Sequence, residues 1–418
     1  MKYGGLDFGT TNSSLSINSG NTVRLVALDQ EAANAEVLRS VLFFEQGGAI
    51  YSGQGAINRY VDDVSSGRFM RSLKSLLTSE IFVGTTIGGR YYDATALVAT
   101  FLAKLHERIE ALEGELEHVV IGRPVVFSEN PVIDKLAETR LLEAAKKAGF
   151  KSVSLQYEPI AAALMFEASL AENESRVVLV GDFGGGTTDF TVMRVGAHRS
   201  RHRTEDILAL GGVYIGGDSF DSAMMWERVG ARLGKGARYR NSSDRWREMP
   251  DSIVRLLKSW HTIPFLRERR IREKILNIMD TTDDRQALEN LDRLVEDNTG
   301  IALFQSIEVA KCQLSAADFG LVAFDGLKHP IRETIVRQEF ETLLAPSLEQ
   351  IDTCLSDVIR MSGLPADRID NVFLAGGTSQ IPCVREVFLR RFGASKMSSQ
   401  DAFTSVAFGL GVSAGASF

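Results

Sequence analysis

The chain has 418 residues, enough for two lobes and too many for one small core. With 44% hydrophobic and 24% charged residues it has the composition of a globular protein, not a disordered one. A formal net charge of -7 argues against general affinity for nucleic acid or anionic membranes. The three cysteines, Cys312, Cys354 and Cys383, are far apart and form no CxxC pair, which argues against a disulfide framework or a zinc cluster. The N-terminus reaches Asp7 without an apolar signal core, and no apolar run is long enough to span a bilayer. The expected location is therefore the cytoplasm.

In chain order, a Gly-rich approach at Tyr3–Leu6 leads into Asp7-Phe8-Gly9-Thr10-Thr11, and then into the strand alternation Ser14-Leu15-Ser16-Ile17. This reads as a β-hairpin with a glycine-bearing turn. Strands are expected at Thr22–Leu28 and Val41–Phe44, then a helix from about Ala94 to Leu112. The strand His118–Phe127, a helix near Val132–Ala148, the strand Val153–Tyr157 and a helix Pro159–Ala171 follow. The opening motif then recurs in expanded form as Asp182-Phe183-Gly184-Gly185-Gly186-Thr187-Thr188-Asp189, preceded by Val177–Val180 and followed by Phe190-Thr191-Val192-Met193. Two lobes of similar plan, each opening on the same turn, are the simplest reading. Helices are expected at Asp218–Leu233, Ile301–Leu314 and Arg337–Met361. The strand Asn371–Leu374 and helices Pro382–Arg391 and Phe403–Ala414 close an α/β chain. Residues Gly234 to Asn298 break the rhythm and read as a charged, mostly helical elaboration with Trp246 and Trp260 as apolar anchors.

Glycines let backbone approach an anion and aim several N–H groups at it. Gly9 can do this in the first turn and Gly184, Gly185 and Gly186 in the second, with Thr10, Thr11, Thr187 and Thr188 adding hydroxyl donors. Asp7, Asp182 and Asp189 would crowd the same phosphates if the turns face each other. At ~4 Å and an effective dielectric near 20, each like-charge contact costs several kcal/mol. A cation is required, and magnesium bridges carboxylates to phosphates while keeping most of its waters. The implied ligand is a magnesium nucleotide. Rival motifs fail. Gly230–Gly236 has P-loop flavour with the wrong spacing and no Ser/Thr, and reads as a helix C-terminus. His106-Glu107 lacks a second histidine four residues on. His198 and His202 lie about a basic run that reads as an exposed hairpin.

Five segments resemble the ATPase domain of the seventy-kilodalton heat-shock (DnaK-type) chaperones. They are the two turns, then Tyr157-Glu158-Pro159-Ile160-Ala161-Ala162-Ala163, Gly212–Asp221 and Leu374–Pro382. Ile121-Gly122-Arg123-Pro124 and Gln156–Pro159 are similar to the short, YegD-like branch. The resemblance implies an actin-like ATPase fold: two ribonuclease-H-like lobes flanking a nucleotide cleft, lobe one over residues 1–175 and lobe two over 176–418. Lobe two would carry a helical subdomain at about 217–320. No peptide-binding domain is expected after Phe418.

The resemblance also implies roles. Asp7, Asp182 and Asp189 would hold Mg2+ through water. Gly9, Thr10, Thr11, Asn12, Gly184, Gly185, Gly186, Thr187 and Thr188 would bind phosphate. Lys74 would contact the γ-phosphate and the attacking water, Glu158 would line the hydrolytic end, and Pro124 would couple it to lobe movement. With Asp182 and Thr187, Lys74 and Glu158 are the candidate catalytic residues. Gly216, Gly217 and Asp218, and Gly376, Gly377, Thr378 and Gln380, belong to two further nucleotide-binding loops. Glu308, Lys311, Cys312 and Ser315 share one helix face too polar for core. In the family that face meets the nucleoside.

Two departures stand out. Cys312 and Gln380 occupy positions where the family stacks arginines on the base, a loss of roughly 0.5–2 kcal/mol for each. Phe403 stands where an acidic residue is usual. The expected function is a magnesium-dependent, slow ATP-hydrolysing switch that cycles between ATP and ADP and acts through a protein partner. A non-catalytic nucleotide sensor or actin-like assembly protein is the alternative, and a small-molecule kinase a third reading. Arg255, Lys258, Arg267, Arg269, Arg270, Arg272 and Lys274, interleaved with Leu256, Leu257, Trp260, Phe265 and Leu266, mark the candidate partner surface on lobe two. Neither nucleic acid nor membrane is an expected partner.

Overall fold

The computed structural model describes residues 1–418 except 21, 63–66, 81, 129, 168–169, 172–173, 197–202, 261, 399–404 and 417–418. His198, His202 and Phe403 lie outside the described residues. The chain divides into two compact units, residues 1–216 with 350–418, and residues 217–349.

The first unit opens with Tyr3–Phe8 (β1) and Asn12–Asn18 (β2), antiparallel from Tyr3↔Asn18 to Phe8↔Ser13. Val23–Leu25 (β3) and Leu38–Arg39 (β4) both pair with β2. Leu42–Glu45 (β5), Ile50–Ser52 (β6) and Gly67–Met70 (β7) form a separate sheet, with Gly53–Asp62 (α1) between β6 and β7. The hairpin Thr85–Ile87 (β8) and Arg90–Tyr92 (β9) leads to Ala94–Glu113 (α2), whose first turn is capped by Asp93 accepting from the Ala96 N–H. His118–Arg123 (β10) joins β1 in parallel, and after Pro131–Lys147 (α3) Val153–Tyr157 (β11) joins β10. The sheet order is β11-β10-β1-β2-β3. The parallel pairs follow from long helical crossovers and the antiparallel pair from a tight turn. Two expected strands are shorter than their apolar runs: β3 covers only Val23–Leu25, and β10 stops at Arg123 because Pro124 brings no N–H to the ladder.

Glu158–Glu167 (α4) precedes a second sheet of Ser175–Phe183 (β12), Thr188–Gly196 (β13) and Ile207–Val213 (β14). The β12–β13 ladder is antiparallel from Ser175↔Gly196 to Phe183↔Thr188, so both copies of the repeated motif are hairpins.

The second unit begins with Gly217–Met224 (α5). The expected helix to Leu233 does not run smoothly: a π-type turn covers Met225–Val229 and a 3-10 turn Gly230–Leu233, closed by Gly234 at φ 91. Gly230–Gly236 is thus a helix C-terminus. The elaboration that follows is not helical throughout. Arg238–Arg240 (β15) and Trp246–Glu248 (β16) form a two-stranded ribbon before Asp251–Val254 (α6), Arg269–Met279 (α7) and Arg285–Glu296 (α8). Trp246 is a correction: 45% exposed, it is no apolar anchor, and Arg238 and Arg240 lie over its ring instead. Gly300–Ala316 (α9) packs on the hairpin Phe319–Phe324 (β17) and Ile331–Val336 (β18).

Arg337–Met361 (α10) leads back to the first unit, where Asn371–Ala375 (β19) pairs in parallel with β12 to give the order β14-β13-β12-β19. Pro382–Phe392 (α11) and Ser405–Ala416 (α12) complete the chain. One core gathers Leu6, Phe8, Leu15 and Ile17 of the first hairpin with Leu97, Phe101 and Leu105 of α2. A further core gathers Ile160–Ala163 of α4 and Val406, Leu410 and Ala414 of α12 with Val120, Val178, Val180 and Phe373. So α4 and α12 lie between the two sheets. Their approach is very close: a Cβ on Gly409 would sit 1.7 Å from the Ala161 carbonyl oxygen. Ser16 Oγ donates to the Ala407 carbonyl at 2.6 Å and Asn18 Nδ2 to the Gly411 carbonyl at 2.9 Å, seating α12 on β2.

Candidate functional site

Each hairpin ends in its glycine turn. Gly9 is demanded by the turn itself, since a Cβ there would lie 2.2 Å from the Asn12 carbonyl oxygen. The Asn12 amide oxygen accepts from Arg39 at 3.2 Å, and the Thr10 and Thr11 hydroxyls make no hydrogen bond to the described residues. The second turn closes through Gly184 N–H donating to the Thr187 carbonyl at 2.9 Å. Gly216 is pressed onto it: a Cβ would stand 2.5 and 2.6 Å from the Gly185 and Gly184 carbonyl oxygens. Thr188 departs from the sequence reading. It is fully buried, and its hydroxyl donates to the Ile215 carbonyl at 2.7 Å, so it straps the 215–216 segment to the turn and does not reach outward. Thr187 donates to Asp189 at 3.0 Å. Gly376 follows β19 at φ 83, and Gly377–Gln380 form a short 3-10 turn in which Gln380 is exposed.

Behind the turns stands a charged cluster. Asp7 is the penultimate residue of β1, and Asp182 and Asp189 are cross-strand partners on β12 and β13. Lys74 is not a surface residue. It lies in the buried 3-10 turn Leu73–Thr78 with Nζ 2.6 Å from Glu158 Oε1, and both side chains are under 10% exposed. Glu158 is the first residue of α4, and Gly122 leaves it room: a Cβ there would sit 3.0 Å from Glu158 Cγ.

Burial, then the charge of Glu158, raises the Asp7 carboxyl to about 7 against the pull of Lys74. Burial also carries Asp189 to about 7, opposed by the Thr187 hydroxyl. Asp182 is pushed well above the usual carboxylate range by burial, Glu158, Asp7 and Asp189. For Lys74 burial alone would lower the pKa, but Glu158, Asp7 and Asp182 outweigh it and hold the ammonium above its ordinary value. One cation thus faces four carboxylates.

That imbalance suits a divalent cation, whose charge would favour the ionised aspartates. Among the described residues no three His, Cys, Asp or Glu groups stand close enough to grip a metal directly. An ion here would be held through its waters, as magnesium prefers.

In the second unit, Lys311 Nζ pairs with Asp221 Oδ1 at 2.8 Å and donates to the Gly217 carbonyl at 3.2 Å. Burial lifts Asp221 to about 6, Lys311 opposes, and Glu308 and Asp218 add to the rise. Burial would lower Lys311, but Asp221 and Glu308 keep it raised. Cys312 is exposed, and the Ser315 hydroxyl turns back to the Lys311 carbonyl at 3.3 Å. Sequence reasoning named Asp218, Glu308 and Lys311 but missed Asp221. Its signal was the i,i+3 acid pair Asp218/Asp221 opening α5, with one member facing a helix that carries a lysine.

The family model described as Hsp70 protein matches residues 65–229 and 275–417. The chain belongs to the Hsp70 family. It has that family's actin-like ATPase fold. It is similar to the chaperone protein DnaK of Thermotoga petrophila, 26% identical over 412 residues, which is 98% of this chain and 58% of the relative. The DnaK of Thermotoga sp. (strain RQ2) matches to the same extent. The chain therefore spans 58% of the length of these curated relatives. The Hsp70 match includes Lys74, Glu158, Asp182, Asp189, Glu308, Lys311 and Gly376–Gln380, and omits residues 230–274. Among the described residues of this Hsp70-family chain no helix is long and apolar enough to cross a membrane.

Proposed function

We propose that this Hsp70-family chain binds ATP and ADP with magnesium and hydrolyses ATP slowly, as a cytoplasmic switch acting through a protein partner. The observation that carries the reading is the buried Lys74–Glu158 pair set among three carboxylates of raised pKa, behind two glycine turns. The turns Gly9–Asn12 and Gly184–Thr187 offer backbone N–H groups to phosphates, with the Thr10, Thr11 and Thr187 hydroxyls as donors. Asp7, Asp182 and Asp189 hold the magnesium waters. When bound, magnesium offsets phosphate charge. Lys74 holds the terminal phosphate and orients water, and Glu158 keeps the lysine in place and accepts a hydrogen bond from that water. Gly216, Gly217, Asp218, Gly376, Gly377 and Thr378 line the remaining phosphate and nucleoside contacts. Glu308, Lys311, Cys312, Ser315 and Gln380 take the ribose and base. In this reading residues 1–175 and 176–418 are the two lobes.

Exposed Cys312 and Gln380 offer the base no guanidinium, which supports a second reading as a nucleotide sensor that does not turn over. The test is phosphate release from ATP by purified protein, with thermal stabilisation by ATP in magnesium and in chelator. Stabilisation that needs magnesium, together with turnover lost in Lys74→Ala, is the expected result. Stabilisation without turnover selects the sensor, and no nucleotide effect on either measure overturns both.

A further inference from the structure

The family match skips residues 230–274, and that gap holds thirteen Lys and Arg against five Asp and Glu, in a chain whose net charge is -7. Four of the thirteen, Arg238, Arg240, Arg245 and Arg247, lie on or beside the β15–β16 ribbon. One edge, β15, is tied down: Arg238 N–H donates to Asp283 at 2.8 Å, Arg240 N–H to the Thr281 carbonyl at 3.2 Å, and Arg238 Nε pairs with Asp283 at 2.9 Å. The other edge, β16, is open. Asn241 donates to the Arg245 carbonyl and Met249 to the Ala237 carbonyl, which fixes the hydrogen-bonded positions of the ladder. Trp246 and Glu248 therefore aim their N–H and C=O groups away from β15, and no described strand pairs with them. Arg245 and Arg247 flank Trp246, are exposed, and form no ion pair with the described residues.

We infer that the outer edge of β16 is a docking site for an extended acidic protein segment, which adds to the ribbon as a third strand and gives its carboxylates to Arg245 and Arg247. Main-chain pairing with Trp246 and Glu248 supplies register, and the arginines supply charge selection. Trp246, with Arg238 and Arg240 already over its ring at 5.4 and 5.0 Å, is a preformed apolar and cationic wall for the incoming side chains. An exposed open edge is a hazard to a free-standing chain. Unpaired arginines on it repel a second copy of the same edge and admit a segment of opposite charge.

The inference names the partner surface of the switch proposed above, but binding is measured without nucleotide, so its failure leaves the nucleotide reading intact. The probes are three labelled ligands of equal charge against the full chain at physiological ionic strength: a peptide of alternating Glu and Thr, a helix-forming Glu/Ala peptide, and oligo-dT. The extended peptide should bind tightest, by about tenfold or more. Arg245→Glu with Arg247→Glu should weaken it by about tenfold at unchanged Tm, and N-methylation of alternate peptide residues should do the same. Equal binding of the two peptides excludes strand addition. Tighter binding of oligo-dT makes the surface a nucleic-acid site. Indifference to the charge reversal or to N-methylation overturns the proposal.

Discussion

Lys74 Nζ lies 2.6 Å from Glu158 Oε1, bringing a short 3-10 turn and the N-terminus of α4 together in a largely buried ion pair. Removing one partner leaves the other charge buried. Lys74→Ala should lower stability by about 3–5 kcal/mol and reduce ATP turnover by at least about a hundredfold. Denaturant melts and phosphate release check the two. Wild-type turnover in Lys74→Ala would remove the lysine from the chemistry.

Asp182 predicts the opposite sign for stability. Its carboxylate is held among Glu158, Asp7 and Asp189 and is costly to ionise in the folded state. Asp182→Asn should raise the Tm of the nucleotide-free protein at pH 8 while abolishing the magnesium dependence of ATP binding. A lower Tm, or an unchanged ratio of ATP affinities with and without magnesium, contradicts the charge argument.

Proton linkage follows from the same cluster. Asp7 and Asp189 titrate near 7 in the folded chain and near 3.8 when unfolded. The folded state therefore holds extra protons between those values, and its stability falls as pH rises through that window. Their contribution is most favourable below the unfolded value and fully lost above 7. Tm without ligand should drop from pH 5.5 to pH 8, and magnesium–ATP should narrow the drop and release protons on binding. Calorimetry in buffers of different ionisation enthalpy measures the release, and zero release at pH 7 contradicts it.

Cys312 and Gln380 are both exposed, one in each compact unit. Arg at both positions should tighten ATP binding by about 1–3 kcal/mol if guanidinium stacking is what the chain lacks. Titration with ATP and GTP reads both affinity and base choice. Unchanged affinity in the double variant, with binding abolished by Glu308→Ala, would show that stacking is not the missing element.

Gly409 tests the seam between the sheets. A methyl group there meets the backbone of Ala161, which has no rotamer to yield. Gly409→Ala should cost about 1–3 kcal/mol or more, visible as a lowered urea midpoint. An unchanged midpoint would mean that α12 shifts freely.

Much of this architecture could be read from local signals. Val153–Tyr157 and Arg337–Met361 begin and end where their patterns do, and the repeated Asp-Phe-Gly motif marks both hairpins because a glycine turn between alternating strands has few other outcomes. The ribbon β15–β16 was hidden because three-residue strands full of arginine carry no apolar alternation. Trp246 misled because an indole can be covered by guanidinium groups as readily as by a core. In the site, Lys74 was named only through the family resemblance, and its buried pairing with Glu158 had no local signal. The Thr188–Ile215 strap and the Asp221–Lys311 pair were not legible either, since both depend on segments brought together only by tertiary folding.

The seam of α4 and α12 has one more consequence. At Gly409 and Ala161 the two helices meet backbone to backbone with no side-chain ridge between them, and Gly411 does the same for α12 against β1. Where large side chains mesh, one sheet can move against the other only by repacking rotamers. Here backbone meets backbone, so a glide along the helix surfaces exchanges one set of close contacts for another of similar kind. Ala161, Ala163, Ala407 and Leu410 are fully buried at this seam, so separating it would expose apolar surface, whereas a shear along it would not. A chain built this way stores its mechanical compliance in what its side chains leave out.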